Sequence, residues 1–251
     1  MRTGIRLATV TALLFAAAFA VPQGVTVPSI QLGMGQAQGQ GDVSASLQIL
    51  ALLTVLSLAP ALLILTTAFT RIVIVLSLVR SALGTQSIPP NQVIVGLSLF
   101  LTFFVMGPTF EQVNDTALKP FMRKEKPITF DEAMKRGQVP IRDFMLKNTY
   151  ESDLRLFTDI RGERPKSRND IAFGSLVPAF VISELKTAFV VGFFIFVPFV
   201  MIDLIVASVL MGMGMMMMPP TVVSLPVKLL VFVLANGWHV LVQAILAGYS
   251  P

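Results

Sequence analysis

Met211-Gly-Met-Gly-Met-Met-Met-Met-Pro-Pro220 contains six methionines in ten residues and closes an apolar region of 48 residues, 171–218. Methionine is unbranched, flexible and polarizable, so a cluster of methionines suits a surface that conforms to varied contacts. Single methionines usually fill gaps in a core, but the four consecutive ones at 215–218 point to every side of a helix, and one core-facing stripe cannot use them all. Proline lacks an N–H donor and restricts the residue before it, so Pro219 and Pro220 are the predicted helix stop.

The composition predicts a membrane-associated protein. Of the 251 residues, 54% are hydrophobic and 13% are charged, and the mean hydropathy is +0.77, whereas about a quarter of the residues in soluble domains are charged. The chain has no cysteine and one histidine, which excludes disulfides, thiolate metal sites and thiol nucleophiles and leaves little for imidazole catalysis. The net charge of +5 includes Arg2 and Arg6 near the N-terminus and does not indicate a nucleic-acid surface. We expect no enzyme activity, no cofactor and no metal.

The apolar region 171–218 is too long for one straight crossing of a membrane. As a single helix, its 48 residues would measure ~72 Å, more than twice the hydrocarbon thickness of a bilayer. We therefore expect a break at Pro198, followed beyond the methionines by a final helix from about Thr221 towards Ala247.

The N-terminal residues predict a secretory signal and a disordered leader. Residues 1–20 combine Arg2 and Arg6 with a short apolar run and end in Ala18-Phe19-Ala20, a pattern that a signal peptidase accepts. Cleavage is expected after Ala20. The alternative is a short first membrane helix, although the run is shorter than the ~20 residues that span a bilayer. Residues 21–42 are rich in Gln, Gly and Pro, which is typical of a disordered segment.

Residues 43–113 are the predicted N-terminal pair of apolar helical segments. Residues 43–70 and 91–110 are each long enough to span a bilayer and carry no charge. Between them, Arg71 and Arg80 are nine residues apart and therefore lie on roughly opposite faces of a helix. One arginine can meet a partner while the other meets water or lipid headgroups. Alternatively, both are snorkelling arginines at a membrane edge.

Residues 114–170 are the predicted soluble segment. They hold 13 Lys and Arg against 10 Asp and Glu, and the spacing Thr129-Phe-Asp-Glu132 is that of a capping box at a helix start. A cleaved signal peptide followed by two spans places the segment in the periplasm, whereas the positive-inside rule favours the cytoplasm for so many basic residues. We follow the signal peptide, because a segment of this length lies at the edge of the range in which the rule applies.

Three ionisable residues in the C-terminal third, residues 171–251, need partners. Glu184, Asp203 and Lys228 would each be costly alone in lipid, so each is expected to face protein or water. Glu184 and Lys186 are two residues apart and do not share a helix face. The partner of Glu184 is therefore expected on another helix, and Lys228 is the best candidate, within the chain or across a subunit boundary. The alternative is a proton or ion relay, although such a relay usually contains more acids or histidines.

Four long and specific strings support a family assignment. They are Phe69-Thr-Arg-Ile-Val-Ile-Val-Leu-Ser-Leu-Val-Arg80, Ile88-Pro-Pro-Asn-Gln92, Ile182-Ser-Glu-Leu-Lys-Thr-Ala-Phe189 and Asp203-Leu-Ile-Val-Ala-Ser-Val-Leu-Met-Gly-Met-Gly-Met-Met-Met-Met-Pro-Pro220. They resemble the FliP family of the flagellar type III secretion export gate, and the resemblance extends from about Leu47 to the C-terminus. The N-terminal extension, residues 1–41, favours the flagellar branch over the related virulence systems.

The resemblance implies a fold, a function and a set of partners. The implied fold is an all-α membrane protein of long kinked helical hairpins with a small helical soluble insertion, assembling into a helical oligomeric channel. Its implied function is to pass unfolded flagellar subunits across the bacterial inner membrane at the flagellar basal body. The implied partners are further copies of itself, FliQ-like and FliR-like subunits, other export-apparatus proteins and membrane lipid.

The resemblance also implies roles for individual residues. Glu184 and Lys228 would form a salt bridge between adjacent subunits, and the methionine-rich loop would line the channel as a gasket. The gasket residues are Met211, Met213, Met215, Met216, Met217 and Met218.

Two other functions stay open when the residues alone are considered. A small-solute or ion transporter subunit would need a defined polar site among Arg71, Glu184, Asp203 and Lys228. A structural scaffold without a pore would not contact exported chains at the methionines. For the export channel, the energy for transport must come from elsewhere, because no nucleotide-binding loop occurs in the sequence.

Overall fold

A computed structural model describes residues 40–85, 87–215 and 217–249, and the regular secondary structure of these residues is entirely helical. The all-α fold class is thereby confirmed. The predicted signal peptide, the leader up to residue 39 and Met216 lie outside the described residues. The helices are α1 (Gln40–Leu65), α2 (Phe69–Ala82), α3 (Asn91–Val113), α4 (Phe130–Lys147), α5 (Glu151–Ile160), α6 (Phe173–Gly212), α7 (Pro220–Leu234) and α8 (Gly237–Ala247).

Helix α1 is divided between two units of the chain, of which the first ends at Leu52 and the second begins at Leu53. The described part of the first unit, residues 40–52, is helical. In the second unit the helix continues through Pro60 to Leu65. Its leucines, such as Leu56 and Leu62, are largely exposed, as expected for a helix that needs lipid or a protein partner.

Two of the described helices are long and apolar enough to cross a membrane. One is α3 with its extension, Asn91–Phe121, which has 31 residues and a mean hydropathy of 2.1, and the other is α6, with 40 residues and a mean hydropathy of 2.7. The extension consists of a π-helical turn, Asn114–Leu118, and a last helical turn, Lys119–Phe121. Two bent pairs, α1 with α2 and α7 with α8, pass the same test together, which gives two to four candidate spans.

Helix α6 is continuous where a break was expected. It runs through Pro198 without interruption and ends at Gly212. A proline inside a helix costs about 3 kcal/mol, and the packing of α6 along α2 and α7 offsets that cost. The 40 residues of α6 measure ~60 Å at the usual helical rise, so a bilayer accommodates only part of this helix.

The first third of α6 packs against the soluble segment. Leu176 and Phe180 of α6 are fully buried and share a core with Met145 of α4 and Leu154 of α5. Helix α4 begins where the capping spacing predicts, since the side chain of Thr129 accepts a hydrogen bond from the next turn. The predicted soluble segment is therefore folded onto α6 and belongs to the same unit of the chain as that helix.

Helix α2 lies at the centre of the larger core. Its buried residues Ile72, Val75 and Val79 recur at helical spacing, and α2 packs on one side against α6 and on another against α3. Helix α2 approaches α6 closely at Gly192, where an added Cβ atom would lie only 2.3 Å from Cδ1 of Leu78. Glycine at this position therefore leaves room for the Leu78 side chain between α2 and α6.

The final apolar region forms two helices where one was expected. Helix α7 ends at Leu234, α8 begins at Gly237, and the two are bent by 67°. Asn236 adopts a left-handed conformation with φ of 50°, which asparagine tolerates better than most residues. A Cβ atom at Gly237 would lie 2.3 Å from the ring of Phe232. An Asn-Gly pair therefore turns the chain at this point.

Candidate functional site

The methionine-rich stretch covers the end of α6 and the loop into α7. Helix α6 ends at Gly212, and Gly214 takes a left-handed conformation with φ of 78°. Pro219 precedes α7 as its N-cap and Pro220 is the first residue of that helix, a position whose N–H would have no helical partner in any case. The expected helix stop therefore lies earlier than the prolines: the glycines end α6, and the prolines begin α7.

The described methionines of this loop are exposed. The exposed fraction is 99% for Met217, 61% for Met213 and 58% for Met211, and it is lower but still 40% for Met215 and 41% for Met218. A Cβ atom added at Gly214 would have no neighbouring atom within 4 Å among the described residues. The loop is thus an apolar tip that the described part of this chain leaves uncovered.

Lys228 connects α7 to two other helices. Its Nζ atom lies 2.6 Å from Oδ2 of Asp203 on α6 and donates a second hydrogen bond, of 3.2 Å, to the carbonyl oxygen of Ala82 at the end of α2. The Lys228 side chain is 8% exposed and that of Asp203 is 36% exposed. Among the described atoms, Oδ1 of Asp203 has no hydrogen-bond partner. One lysine therefore holds α2, α6 and α7 together.

A groove of about 680 Å³ lies beside Lys228, between the start of α7 and the loop after α2. Gly84, Thr85 and Ile88 line one side of the groove, and Thr221 and Leu225 are on the other. Of its described lining residues, Lys228 alone is charged, and that charge is already neutralised by Asp203. The other polar lining residues are hydroxyl side chains, including Thr85, Ser87 and Ser224, so the described lining of the groove is mostly apolar with a few polar groups.

Arg71 and Glu184 form a second, more deeply buried pair. The guanidinium binds the carboxylate through two hydrogen bonds, from Nε to Oε2 at 3.0 Å and from Nη2 to Oε1. The two side chains are 5% and 0% exposed. This two-pronged arrangement is the strongest geometry between arginine and a carboxylate, and it attaches α2 to α6.

Tyr249 completes this buried site from the C-terminal end of the chain. Its hydroxyl donates a 2.6 Å hydrogen bond to Oε2 of Glu184, and burial raises the pKa of Tyr249, so the hydroxyl stays protonated. Arg71 donates to the carbonyl oxygen of Gly248 at 2.9 Å, and its guanidinium carbon lies 3.9 Å from the centre of the Tyr249 ring. The ring of Phe144 from α4 stacks on the other side. The sequence-based prediction missed Tyr249, although a tyrosine at the end of an apolar helix needs a partner for its hydroxyl.

Ser183, the residue before Glu184, makes a neighbouring polar contact. Ser183 donates a 2.6 Å hydrogen bond to Oδ2 of Asp153 and accepts one of 3.0 Å from the backbone N–H of Tyr150. Ser183 and Glu184 therefore attach α6 to the soluble segment and to α2, respectively.

The predicted site residues thus fall into separate places. Glu184 contacts Arg71, and Lys228 contacts Asp203, so Glu184 and Lys228 do not contact each other within the described chain. Their pairing between subunits stays a prediction. Arg80 is half-buried and donates to the side-chain oxygen of Asn91, so Arg71 and Arg80 have different surroundings. No group of three or more metal-ligating side chains occurs among the described residues.

Comparisons with known proteins identify the family. The FliP family model matches residues 52–245. Flagellar biosynthetic protein FliP of Bacillus subtilis is 54% identical over 209 residues, which cover 83% of this chain and 94% of that protein. The FliP of Aquifex aeolicus is 44% identical over 243 residues, covering 96% and 98% of the two chains, and that of Caulobacter vibrioides is 41% identical over 247 residues, covering 98% and 92%. With a match over most of its length, the chain belongs to the FliP family.

Proposed function

We propose that this chain, a non-enzymatic FliP-family component of the flagellar export apparatus, is a subunit of the export channel itself. In this proposal several copies assemble with FliQ-like and FliR-like subunits and with other export-apparatus proteins in the bacterial inner membrane, at the flagellar basal body. Unfolded flagellar subunits then pass between the copies. The candidate membrane spans and the family membership support the location.

The observation that carries the channel role is the exposed methionine loop. Met217 is 99% exposed and Met213 is 61% exposed, and a contiguous apolar surface of this kind marks a site of interaction. Copies of one loop arranged around a symmetry axis can cover one another. Flexible thioether side chains can close the axis at rest and yield to an extended chain of varied sequence. Residues 211–218 are therefore proposed as a gasket.

Ion leakage across membranes that carry the assembled complex tests the gasket. Deleting residues 215–218 should raise the leakage, because the remaining loop no longer reaches the axis. The matched control replaces the same four residues by leucine, which keeps apolar bulk in the loop and should leak less than the deletion. A deletion variant that assembles and leaks no more than the natural protein would rule out the seal.

The contacts of the charged residues do not favour a transporter of small solutes. Such a protein would need polar groups free to bind its solute, whereas Arg71 is paired with Glu184 and Lys228 with Asp203. A scaffold without a pore makes a different prediction: an export substrate stalled in the apparatus would not cross-link to a photoreactive residue at Met217. A cross-link at Met217 supports the channel and excludes the scaffold.

The proposed orientation places residues 114–170 in the periplasm. The sequence contains no cysteine, so a single Lys166→Cys substitution provides a unique label at an exposed position. A thiol reagent that cannot cross the inner membrane should label it in cells with a permeable outer membrane. Labelling that occurs only after the inner membrane is opened would reverse the orientation.

The proposal also includes the pairing of Glu184 with Lys228 between adjacent subunits. Each residue already has a partner of opposite charge within the chain. Pairing between subunits therefore requires an exchange of partners on assembly, in which Arg71 and Asp203 are released or shared.

A further inference from the structure

Basic side chains are concentrated where the extension of α3 ends. Residues 119–126, Lys-Pro-Phe-Met-Arg-Lys-Glu-Lys, contain four basic residues and one acidic residue. Arg123, Lys124 and Lys126 are exposed, and none of the three forms an ion pair with the described residues. Lys119 is paired only with the exposed Asp115 on its own helix. The segment therefore presents positive charge that the described chain does not neutralise.

Large apolar side chains are exposed among these basic residues. The exposed fraction is 76% for Met122, 41% for Phe121 and 66% for Phe130, the first residue of α4. The rings of Phe121 and Phe130 pack edge to face with their centres 6.3 Å apart. Cationic residues mixed with exposed aromatic and aliphatic residues are the combination that binds the interface of an anionic bilayer.

The length of this helix matches a span that would end at the depth of the headgroups. The candidate span Asn91–Phe121 has 31 residues, or ~46 Å at the helical rise. That is longer than the ~30 Å hydrocarbon core and close to the ~40–45 Å of a bilayer with both headgroup regions. A helix that enters one headgroup region at Asn91 therefore delivers Phe121 to the headgroup region on the opposite side.

We propose that residues 119–130 are a docking surface for anionic phospholipid. Arg123, Lys124 and Lys126 bind the headgroup phosphates, while Phe121, Met122 and Phe130 insert at the boundary with the acyl chains. The surface fixes the depth of α3 in the bilayer, and it is independent of the methionine loop and of the channel function.

A protein partner is the other possible occupant of this surface, and the composition argues against it. The cores of protein interfaces are depleted in lysine, whereas basic residues next to the end of a membrane span are attracted to anionic lipid. The apolar residues are also interleaved with the basic ones along the chain, so burying the one set in a protein interface would bury the other.

Binding of phosphatidylglycerol to the full-length protein tests the proposal. The protein is purified in a neutral detergent, and the affinity is measured with phosphatidylglycerol and with phosphatidylcholine as the uncharged reference. The triple variant Arg123→Gln, Lys124→Gln, Lys126→Gln should bind phosphatidylglycerol about 100-fold more weakly at low salt. Binding of phosphatidylcholine should not change.

A second triple variant controls for the loss of net charge. Lys147→Gln, Arg164→Gln and Lys166→Gln also remove three exposed basic residues from the soluble segment, and this variant should bind phosphatidylglycerol as the natural protein does. Equal loss in both variants, or no loss in either, would overturn the proposal. So would a first variant that keeps its lipid affinity but no longer associates with another export-apparatus protein.

The natural protein alone provides a test that needs no variant. Raising the salt concentration should weaken its binding of phosphatidylglycerol, because exposed charges are screened within a few ångströms at high ionic strength. Affinity that is independent of salt would contradict binding by the exposed basic residues, whether or not the triple variants fold.

Discussion

The hydroxyl of Tyr249 donates a 2.6 Å hydrogen bond to Oε2 of Glu184, the same oxygen that accepts from Nε of Arg71. The end of the described chain is thereby attached to the buried ion pair that joins α2 to α6. A carboxylate at 0% exposure is costly unless its oxygens are satisfied, and here arginine and tyrosine together satisfy both oxygens. The three residues are expected to act as a unit.

Replacing Tyr249 by phenylalanine should destabilise the protein. The ring can still cover Arg71 and stack on Phe144, but Glu184 loses a donor, and a hydrogen bond to a charged group contributes about 1.5–3 kcal/mol. Thermal unfolding of the purified protein in detergent measures the effect. The control is Tyr150→Phe, since the Tyr150 hydroxyl only accepts an exposed 3.2 Å hydrogen bond from Thr187. Equal melting temperatures for the two variants would show that the Tyr249 hydroxyl does not stabilise the pair.

Removing the charge of Arg71 should be more damaging than removing the Tyr249 hydroxyl. Arg71→Gln leaves Glu184 buried without a cation, and breaking a buried ion pair from one side costs about 3–5 kcal/mol. Arg71→Lys keeps the charge but loses the two-pronged geometry, so its stability should be intermediate. Protein yield and thermal unfolding provide the measurement. If Arg71→Lys were as stable as the natural protein, the two-pronged geometry would not contribute to stability.

Helix positions could be predicted from the sequence to a large extent, because apolar runs and helix-starting residues mark them locally. The start of α3 at Asn91 and the cap at Thr129 are examples. The turn between α7 and α8 also had a local signal, the dipeptide Asn236-Gly237, because Asn-Gly pairs favour turns. Its position within a continuous apolar run concealed it.

The partner of Glu184 could not be predicted in the same way. Spacing shows which residues share a helix face, but it does not show which helices touch, and both Arg71 and Lys228 were suitable cations on other helices. The contact with Arg71 depends on the packing of α2 against α6, where Gly192 leaves room for the Leu78 side chain. The role of Tyr249 depends in turn on the turn at Asn236, which brings the C-terminal end back to the core.

Charge reversal separates the pairing observed within the chain from the pairing proposed between subunits. Glu184→Lys should prevent assembly in either case, because it places two cations at one buried position. If Glu184 pairs with Lys228 of a neighbouring copy, adding Lys228→Glu should restore part of the assembly. If the contact within the chain dominates, Arg71→Glu with Glu184→Arg should restore it instead. Native gel electrophoresis of the purified complex and swimming motility report the rescue.

The two double variants can be compared directly because both reverse the charge at position 184. Rescue only by the Arg71 double variant would show that the contact within the chain dominates, because the other double variant also places like charges beside Arg71 and Asp203. Rescue by both would indicate that Glu184 exchanges partners during assembly. Lys228 contacts Asp203 at 2.6 Å, so Lys228→Glu alone places a second acid beside Asp203. This single variant should therefore assemble poorly without a compensating change.

The contact between α2 and α6 provides a prediction about packing. Gly192→Leu should destabilise the protein, because a Cβ atom added at this position would lie 2.3 Å from Cδ1 and 3.3 Å from Cβ of Leu78, and overpacking a core typically costs about 1–3 kcal/mol. Leu78→Ala removes the Cγ and Cδ atoms that oppose position 192 and leaves only Cβ, so the double variant Leu78→Ala, Gly192→Leu should regain stability relative to Gly192→Leu alone. The control is Gly96→Leu on α3, where an added Cβ atom would meet nothing within 4 Å, so the thermal unfolding temperature should not change.

Because Arg71 and Leu78 lie on the same helix, separating α2 from α6 should also weaken the Arg71–Glu184 pair. Gly192→Leu and Arg71→Gln are therefore expected to be less than additive, and full additivity would show that the two contacts are independent.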